Sequence, residues 1–126
     1  MKLSVIIPCY NEEKTIIKVI DVVKKYINED DEIIVVDDFS SDRTRSILKE
    51  KSTNKISNLI LNEKNNGKGY SIRKGMEQAT GDIILIQDAD LEYDPSDYDK
   101  LLKPIKNGFA YVVYGSRFIG SEEKRV

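Results

Sequence analysis

The sequence predicts an α/β fold: a mostly parallel sheet with helices on both of its faces. Short apolar runs alternate along the chain with segments whose apolar side chains recur at helical spacing. The clearest run, at residues 83–86, contains no polar residue, which is typical of a strand buried on both faces. Strands that alternate with helices pair in parallel, and the helices pack above and below the sheet.

Length and composition bound the class of protein. The chain has 126 residues, which predicts one domain with a single core. With 20 basic and 22 acidic residues, it lacks the basic surface typical of proteins that bind nucleic acid. There is no histidine, which excludes histidine acid–base chemistry, histidine metal sites and Ser/His/Asp triads. The single cysteine, Cys9, excludes an internal disulfide and favours a buried structural thiol.

The distribution of apolar residues predicts where the protein acts. No apolar stretch approaches the ~20 residues that a membrane helix requires. The first apolar run stops at Pro8, which is too early for a signal peptide. We therefore expect a cytoplasmic location, and a peripheral contact with the cytoplasmic face of a membrane stays compatible with the sequence. The oligomeric state is left open.

The first strand–helix unit is predicted from its apolar pattern and its cap. An apolar strand at residues 3–7 ends at Pro8. Asn11 then caps a helix whose first turn carries the acidic residues 12 and 13, where the helix dipole favours negative charge. Apolar residues that recur at helical spacing, on one side, support this helix, and residues 28–31 end it.

The second unit repeats this pattern. A buried strand at 33–36 leads into two acids, and Ser41 is the predicted cap of a helix over about 42–51. A third and more polar strand is predicted at 56–61.

The last part of the chain predicts two further units. A glycine loop at 65–69 precedes a helix that runs to about Thr80 and stops at Gly81. The strand at 83–86 follows. The remaining predicted elements are a helix at about 97–106, capped by Ser96, and a strand at 110–114.

An acidic cluster opens directly from the strand at 83–86. Asp88, Asp90 and Glu92 are spaced two residues apart, so in an extended chain they face the same side. Carboxylates packed so closely repel one another unless a cation lies among them. Mg²⁺ or Mn²⁺ suits such an all-oxygen site and keeps positions open for phosphates. The alternative is that these acids only solubilise a loop and cap the next helix.

Other polar residues follow neighbouring strands at the same predicted edge of the sheet. They are Tyr10 and Glu12 after the first strand, Asp37 and Asp38 after the second, Gly67 to Gly69 before the third helix, and Arg117 after the fifth strand. The glycine loop contributes backbone N–H groups and the cation Lys68, a combination that attracts phosphate. Ligands of open α/β sheets bind at this edge. The convergence favours a nucleotide diphosphate held through a metal ion.

Spacing excludes several other phosphate-binding schemes. The glycine-rich dinucleotide fingerprint and the phosphate loop of nucleoside triphosphatases are both absent after the first strand. A calcium loop that begins at Asp88 would require glycine at position 93 and glutamate at position 99, and the chain has neither. A nucleotidyltransferase of similar architecture is also disfavoured, because Pro8 to Tyr10 is not a glycine-rich loop.

Five motifs, in order and in register, resemble the family 2 glycosyltransferases. They are Val5-Ile-Ile-Pro-Cys-Tyr-Asn-Glu12, Val35-Val-Asp-Asp-Phe-Ser-Ser-Asp42, Asn66-Gly-Lys-Gly69, Asp88-Ala-Asp-Leu-Glu92 and Tyr114-Gly-Ser-Arg117. The similarity is strongest to the branch that includes dolichol-phosphate mannosyltransferase and polyprenyl-phosphate glucosyltransferases. It implies the Rossmann-like GT-A nucleotide-sugar-binding fold and the inverting transfer of one sugar.

The resemblance also implies roles for individual residues. Pro8, Tyr10 and Glu12 would border the nucleoside pocket, with Tyr10 against the base. Either Asp37 or Asp38 would hydrogen-bond the base or the ribose.

The remaining implied roles concern the diphosphate. Gly67, Lys68 and Gly69 would lie near the donor, while Asp88 and Asp90 would hold Mg²⁺ or Mn²⁺ with Glu92 as a third ligand. Arg117 would meet a phosphate of the donor or of the acceptor, and Asp90 and Arg117 are the residues predicted to be catalytic.

The predicted reaction is metal-dependent transfer of a sugar from a UDP- or GDP-linked donor to an acceptor. A polyprenyl or dolichyl phosphate is the favoured acceptor, and a glycan is the other. A lipid phosphate is already anionic, so it needs no strong base, which agrees with the absence of histidine. Family members continue well past the Gly-Ser-Arg segment. Residues 1–126 are therefore expected to form a donor domain that lacks the acceptor part. The alternative is a nucleotide-sugar-binding module without turnover.

Overall fold

The computed structural model describes residues 1–90 and Pro95, and the backbone of residues 112–114 and 117–118. The described strands form one six-stranded sheet in the order β3-β2-β1-β4-β5-β6. The strands are β1 Leu3–Cys9, β2 Glu32–Asp37, β3 Asn58–Leu61, β4 Ile83–Ile86, β5 Val112–Tyr114 and β6 Arg117–Phe118. The helices are α1 Ile16–Tyr26, α2 Thr44–Lys51 and α3 Lys68–Gln78.

The pairing of the strands confirms the predicted parallel sheet. β1 to β5 are joined by parallel pairs, and only the short β6 runs antiparallel, against β5. The predicted helix at 97–106, its cap Ser96 and the acidic residue Glu92 lie outside the described residues.

Helices lie on both faces of the sheet, as predicted. On one face, Val5 and Ile7 of β1 pack in a core cluster with α1 and with Leu48 of α2. On the other face, Ile6 belongs to a second cluster that includes Ile72 of α3. Successive β1 side chains thus point to opposite cores, as the alternation of a strand requires. Full burial of one such side chain contributes roughly 1.5–3 kcal/mol.

α1 shows how a helix of this chain meets the sheet. Its buried residues are Ile16, Val19, Ile20 and Val23, which form a single stripe. Lys24 and Lys25 lie in its last turn, where they complement the negative end of the helix dipole. Among the helices that the structure describes, none is long and apolar enough to cross a membrane.

α3 lies unusually close to the sheet at Gly75. A Cβ atom at this position would lie 2.6 Å from Cγ2 of Ile6, well inside van der Waals contact. Gly75 is buried, so the absence of a side chain is what permits this approach. The contact fixes α3, and with it the loop that precedes Lys68, relative to β1.

The predicted start of α1 is wrong. The helix begins at Ile16 rather than directly after Asn11, and Glu12 and Glu13 precede it. Asn11 adopts a left-handed conformation, with φ of 53°, which asparagine tolerates better than most residues. Its side-chain oxygen accepts the backbone N–H of Ser41, so Asn11 binds the loop after β2 instead of capping a helix.

The predicted cap of α2 is also wrong. Ser41 lies before the helix, which begins at Thr44. The carboxylate of Asp42 accepts both the N–H and the hydroxyl of Thr44, at 2.8 and 2.5 Å. These hydrogen bonds lower the pKa of Asp42, although partial desolvation opposes them.

Candidate functional site

A cleft opens at the carboxyl end of the sheet, between β1 and β4. The pairing of β1 with β2 continues to Cys9, whereas its pairing with β4 ends at Ile6, opposite Ile86. Pro8 lies just beyond that point and has no N–H to continue the ladder. The prediction that β1 ends at Pro8 is therefore wrong for its pairing with β2, which continues past Pro8. It holds only for the pairing with β4, which stops before Pro8. The strand order changes direction here, which is where open α/β sheets bind ligands.

The cleft between β1 and β4, called here the β1–β4 cleft, has a volume of about 310 Å³. Most of the residues predicted for the site line it: Pro8, Tyr10, Glu12, Asp38, Lys68, Asp88 and Asp90. Residues from three separate loops and from the start of α3 therefore meet at one place, as the sequence predicts for successive strand ends.

Asp88 and Asp90 lie side by side on the wall that follows β4. Ala89, between them, is buried in the core against α1, and its carbonyl accepts the hydroxyl of Thr15 at 2.6 Å. Residues 89 and 90 form a turn, and both carboxylates line the cleft. Their position in one cleft agrees with the spacing, but the extended backbone on which the prediction was based is not found at residues 89 and 90.

Lys68 lies across the cleft from these acids. It is the first residue of α3, and its ammonium forms an ion pair of 2.5 Å with Oδ1 of Asp88. The Lys68 side chain is 53% exposed and that of Asp88 is 25% exposed, so the pair lies at the open surface of the cleft.

Asp38 holds the loop that leads to Lys68. Its two carboxylate oxygens accept the backbone N–H groups of Asn66 and Gly67, at 2.8 and 2.9 Å, and the side-chain amide of Asn62 at 2.9 Å. Gly67 has a φ of 96°, a value that glycine adopts readily and residues with a side chain rarely adopt. The N–H groups of residues 66 and 67, which the sequence suggested would be free for phosphate, are thus bound to Asp38.

Asp37 does not line the β1–β4 cleft. It is fully buried and accepts hydrogen bonds from Nε of Arg45 at 2.5 Å and from the N–H and hydroxyl of Ser40 at 3.0 and 2.5 Å. The Arg45 guanidinium also donates to the carbonyl of Asn62, and it lies 5.2 Å from the centre of the Phe39 ring. The carboxylate is therefore surrounded by donors from its own chain.

Glu12 lies at the negative end of the cleft. Partial burial raises the pKa of Glu12, and the nearby charge of Asp90 raises it further, with smaller contributions from Asp42 and Asp88. A hydrogen bond from Thr15 opposes the shift. Four acidic residues and one lysine line the β1–β4 cleft, and this excess of acids favours a cation.

Tyr10 is 45% exposed at the mouth of the cleft, directly before the left-handed Asn11. The N–H of Asn11 donates to the hydroxyl of Ser40 at 2.9 Å, and the N–H of Glu12 donates to the hydroxyl of Thr44 at 2.9 Å. These bonds tie the loop after β1 to the loop after β2, so that Tyr10 and Glu12 are held at fixed positions.

Three lining residues were missed as site residues: Cys9, Ser71 and Ala89. Cys9 is buried as predicted, and burial raises the pKa of its thiol well above its usual range, with Asp37 adding to the shift. Ser71 accepts the amide of Asn62 at 3.0 Å. Its position one turn after Lys68, on the same side of α3, was the signal that could have revealed it.

The positions of the other predicted site residues are as follows. Gly69, in the first turn of α3, is not among the residues that line the cleft. Glu92 lies outside the described residues, and of Arg117 only the backbone, in β6, is described. Within the part of the chain that the structure describes, no group of three acidic, cysteine or histidine side chains is arranged to hold a metal ion.

The sheet order and the position of the cleft define the class of fold, which is that of the GT-A glycosyltransferases. A solved structure with this fold is the mannosyltransferase PcManGT from Pyrobaculum calidifontis, in complex with GDP-Man and Mn²⁺. It superposes with a TM-score of 0.74 at 25% sequence identity, over 86% of this chain and 33% of that one.

The chain belongs to glycosyltransferase family 2, whose family model matches residues 4–126. It is 38% identical to a dolichol-phosphate mannosyltransferase of Pyrococcus furiosus, over 94% of this chain and 34% of the relative. It is 37% identical to an undecaprenyl-phosphate 4-deoxy-4-formamido-L-arabinose transferase of Photorhabdus laumondii, over 92% of this chain and 37% of the relative. The resemblance inferred from the five motifs is thereby confirmed. The chain spans about a third of the length of these relatives.

Proposed function

We propose that this chain is the donor-binding domain of a metal-dependent glycosyltransferase that transfers a sugar from a nucleotide diphosphate sugar to a polyprenyl phosphate. The observation that carries the proposal is the juxtaposition of Asp88 and Asp90 with Lys68 in the β1–β4 cleft. Two carboxylates can hold a divalent ion, and a nearby ammonium can bind the diphosphate that the ion also binds.

Two carboxylates of the cleft suit a divalent ion as part of its ligand set. Asp88 and Asp90 offer only oxygen ligands, which suit Mg²⁺ or Mn²⁺, and Glu92 is the proposed third ligand. The Pyrobaculum mannosyltransferase, which shares the fold, is described with Mn²⁺ and a sugar nucleotide. When bound, such an ion stabilises the negative charge that develops on the departing diphosphate.

Lys68 and Tyr10 would bind the two ends of the nucleotide. The Lys68 ammonium, at the positive end of α3, is suited to the diphosphate. The exposed ring of Tyr10 offers a flat apolar surface to the base.

Asp38 rather than Asp37 is the proposed contact to the ribose or base. A carboxylate has about four acceptor positions. Asp38 uses three of them on its own chain and lines the cleft, whereas Asp37 is fully buried behind Arg45.

A lipid phosphate acceptor is supported by the names of the relatives, which act on dolichol phosphate and undecaprenyl phosphate. The phosphate oxygen of such an acceptor is already anionic at neutral pH, so attack on the sugar from the face opposite the leaving diphosphate, with inversion, needs no strong base. Arg117 is proposed to bind the phosphate of the acceptor or of the donor. This acceptor would place the reaction at a membrane surface, with the domain on its cytoplasmic side.

Calorimetric titration of UDP and GDP, each with and without Mn²⁺, tests the donor site of the 126-residue chain. We expect one nucleotide to bind tightly only with the metal, and ADP with Mn²⁺ serves as the control. A sugar-transfer assay with a short prenyl phosphate follows. Metal-dependent binding without transfer would favour a nucleotide-sugar-binding module. Failure of both nucleotides to bind with the metal would contradict the proposal.

A further inference from the structure

We propose that Lys68 is an internal counter-cation of the metal site: it neutralises Asp88 when no metal is bound and moves to the diphosphate when a divalent ion takes its place. The inference rests on the proposed function and adds to it a reason for metal and nucleotide to bind cooperatively. It would make Lys68 the residue that couples the binding of the two ligands.

The geometry of the ion pair is the first support. The Lys68 ammonium lies 2.5 Å from Oδ1 of Asp88, and both residues line the β1–β4 cleft together with Asp90. A divalent ion that used Asp88 as a ligand would have to share this carboxylate with the ammonium. Two cations that share one carboxylate repel each other appreciably, even where water screens them. The ion pair therefore competes with the metal for the same carboxylate.

The exposure of the Lys68 side chain, set against its hydrogen-bonded preceding loop, is the second support. Asp38 binds the N–H groups of Asn66 and Gly67, so the start of α3 cannot shift freely. The side chain, by contrast, is 53% exposed and has a flexible four-carbon stem. The ammonium can leave Asp88 while the helix stays in place, and the cleft then directs it to an anion bound there.

The consequence is a positive coupling between the two ligands. Metal alone must break the ion pair and leaves Lys68 near a like charge. A nucleotide diphosphate supplies the released ammonium with a new partner, so metal and nucleotide strengthen each other. Thermodynamic linkage requires the same factor in both directions.

The test is the Mn²⁺ dissociation constant, measured by electron paramagnetic resonance with and without the nucleotide that binds. Lys68→Met removes the charge and keeps most of the length of the side chain. For this variant we expect Mn²⁺ alone to bind up to about fivefold more tightly, as the loss of an exposed ion pair allows. We also expect the nucleotide to strengthen Mn²⁺ binding by a smaller factor than in the wild type.

Two further variants serve as controls. Lys74 lies on the same helix, with its ammonium near Glu77 and the ring of Tyr70, and it does not line the β1–β4 cleft. Lys74→Met should therefore leave the Mn²⁺ dissociation constant unchanged, both with and without nucleotide. Lys68→Arg keeps the charge and should retain most of the coupling.

The outcomes separate the two proposals. If Lys68→Met binds Mn²⁺ alone no more tightly than the wild type does, and the coupling factor is unchanged, the counter-cation role is wrong while the metal site stands. If neither protein binds Mn²⁺ even with nucleotide, the metal-dependent function itself is wrong. A thermal unfolding curve for each variant confirms that the fold is intact.

Discussion

Two pairs of acids follow strands at the same edge of the sheet, and they differ in how deeply they are buried. Asp37 and Asp38 follow β2, are buried, and accept hydrogen bonds from their own chain. Asp88 and Asp90 follow β4 and line the open β1–β4 cleft. A carboxylate at a strand end is thus not by itself a ligand site.

The surroundings of the two strands account for the difference. β2 lies between β1 and β3, and Arg45 and Asn62 bring donors to its carboxyl end. A buried charge needs such partners, because an unpaired one is strongly destabilising. β4 ends where its pairing with β1 stops, so that its acids face the cleft. The first pair holds the surrounding loops in place, and the second lies at the open surface of the cleft.

The largest expected effect is the loss of stability in Asp37→Ala. Removing the carboxylate leaves the Arg45 guanidinium without its buried partner, which destabilises the fold by about 3–5 kcal/mol. Urea denaturation measures this free energy. The control is Asp21→Ala, which breaks an exposed pair with Lys55 and should change stability by less than about 1 kcal/mol. Equal effects of the two variants would remove the contrast between buried and exposed acids.

Asp38→Asn should have the next largest effect. The amide keeps the shape of the side chain but has one acceptor oxygen instead of two. It can therefore no longer accept the N–H groups of both Asn66 and Gly67, at a cost of about 2 kcal/mol. Hydrogen exchange should show the N–H of Gly67 exchanging faster than in the wild type. Unchanged protection there would mean that Asp38 does not hold the loop.

Asp90→Asn should show the opposite pattern from Asp37→Ala. Asp90 is exposed, so the free energy of unfolding, measured by urea denaturation, should change by less than about 0.5 kcal/mol. Metal-dependent nucleotide binding, measured by calorimetry, should weaken at least about tenfold, or about 1.4 kcal/mol. Undiminished binding would remove Asp90 from the metal site.

The smallest effect is expected for Glu32, a half-buried acid at the opposite edge of the sheet. Hydrogen bonds from Ser4 and Thr80 lower the pKa of Glu32, although partial desolvation opposes them. A lowered folded-state pKa adds stability above the unfolded-state value near 4.5, and this stability is lost as the pH falls through the folded-state pKa. Glu32→Gln should therefore cost about 1 kcal/mol at pH 7 and progressively less below pH 4.5. Urea denaturation at several pH values measures the difference in unfolding free energy between the wild type and Glu32→Gln. A difference that does not change with pH would contradict the prediction.

The sequence predicts the sheet, its two covered faces and the acids of the cleft, because these depend on local patterns. The apolar run at 83–86 predicts its strand without reference to distant residues, and Asp88 and Asp90 reach the cleft because they follow that strand. The sequence did not predict that Asn11 and Asp38 hold neighbouring loops. Their partners are 24 to 31 residues away in sequence, and no local rule indicates them. The same applies to the ion pair of Lys68 with Asp88.

The missing side chain of Gly75 has a consequence at the other end of α3. Lys68 lies seven residues earlier, or about 10 Å along the helix axis. A methyl group at position 75 would push α3 away from Ile6. This shift would change the distance between Lys68 and the acids that follow β4 in the β1–β4 cleft. The packing of one glycine in the core thus influences the width of the β1–β4 cleft, although Gly75 does not line that cleft.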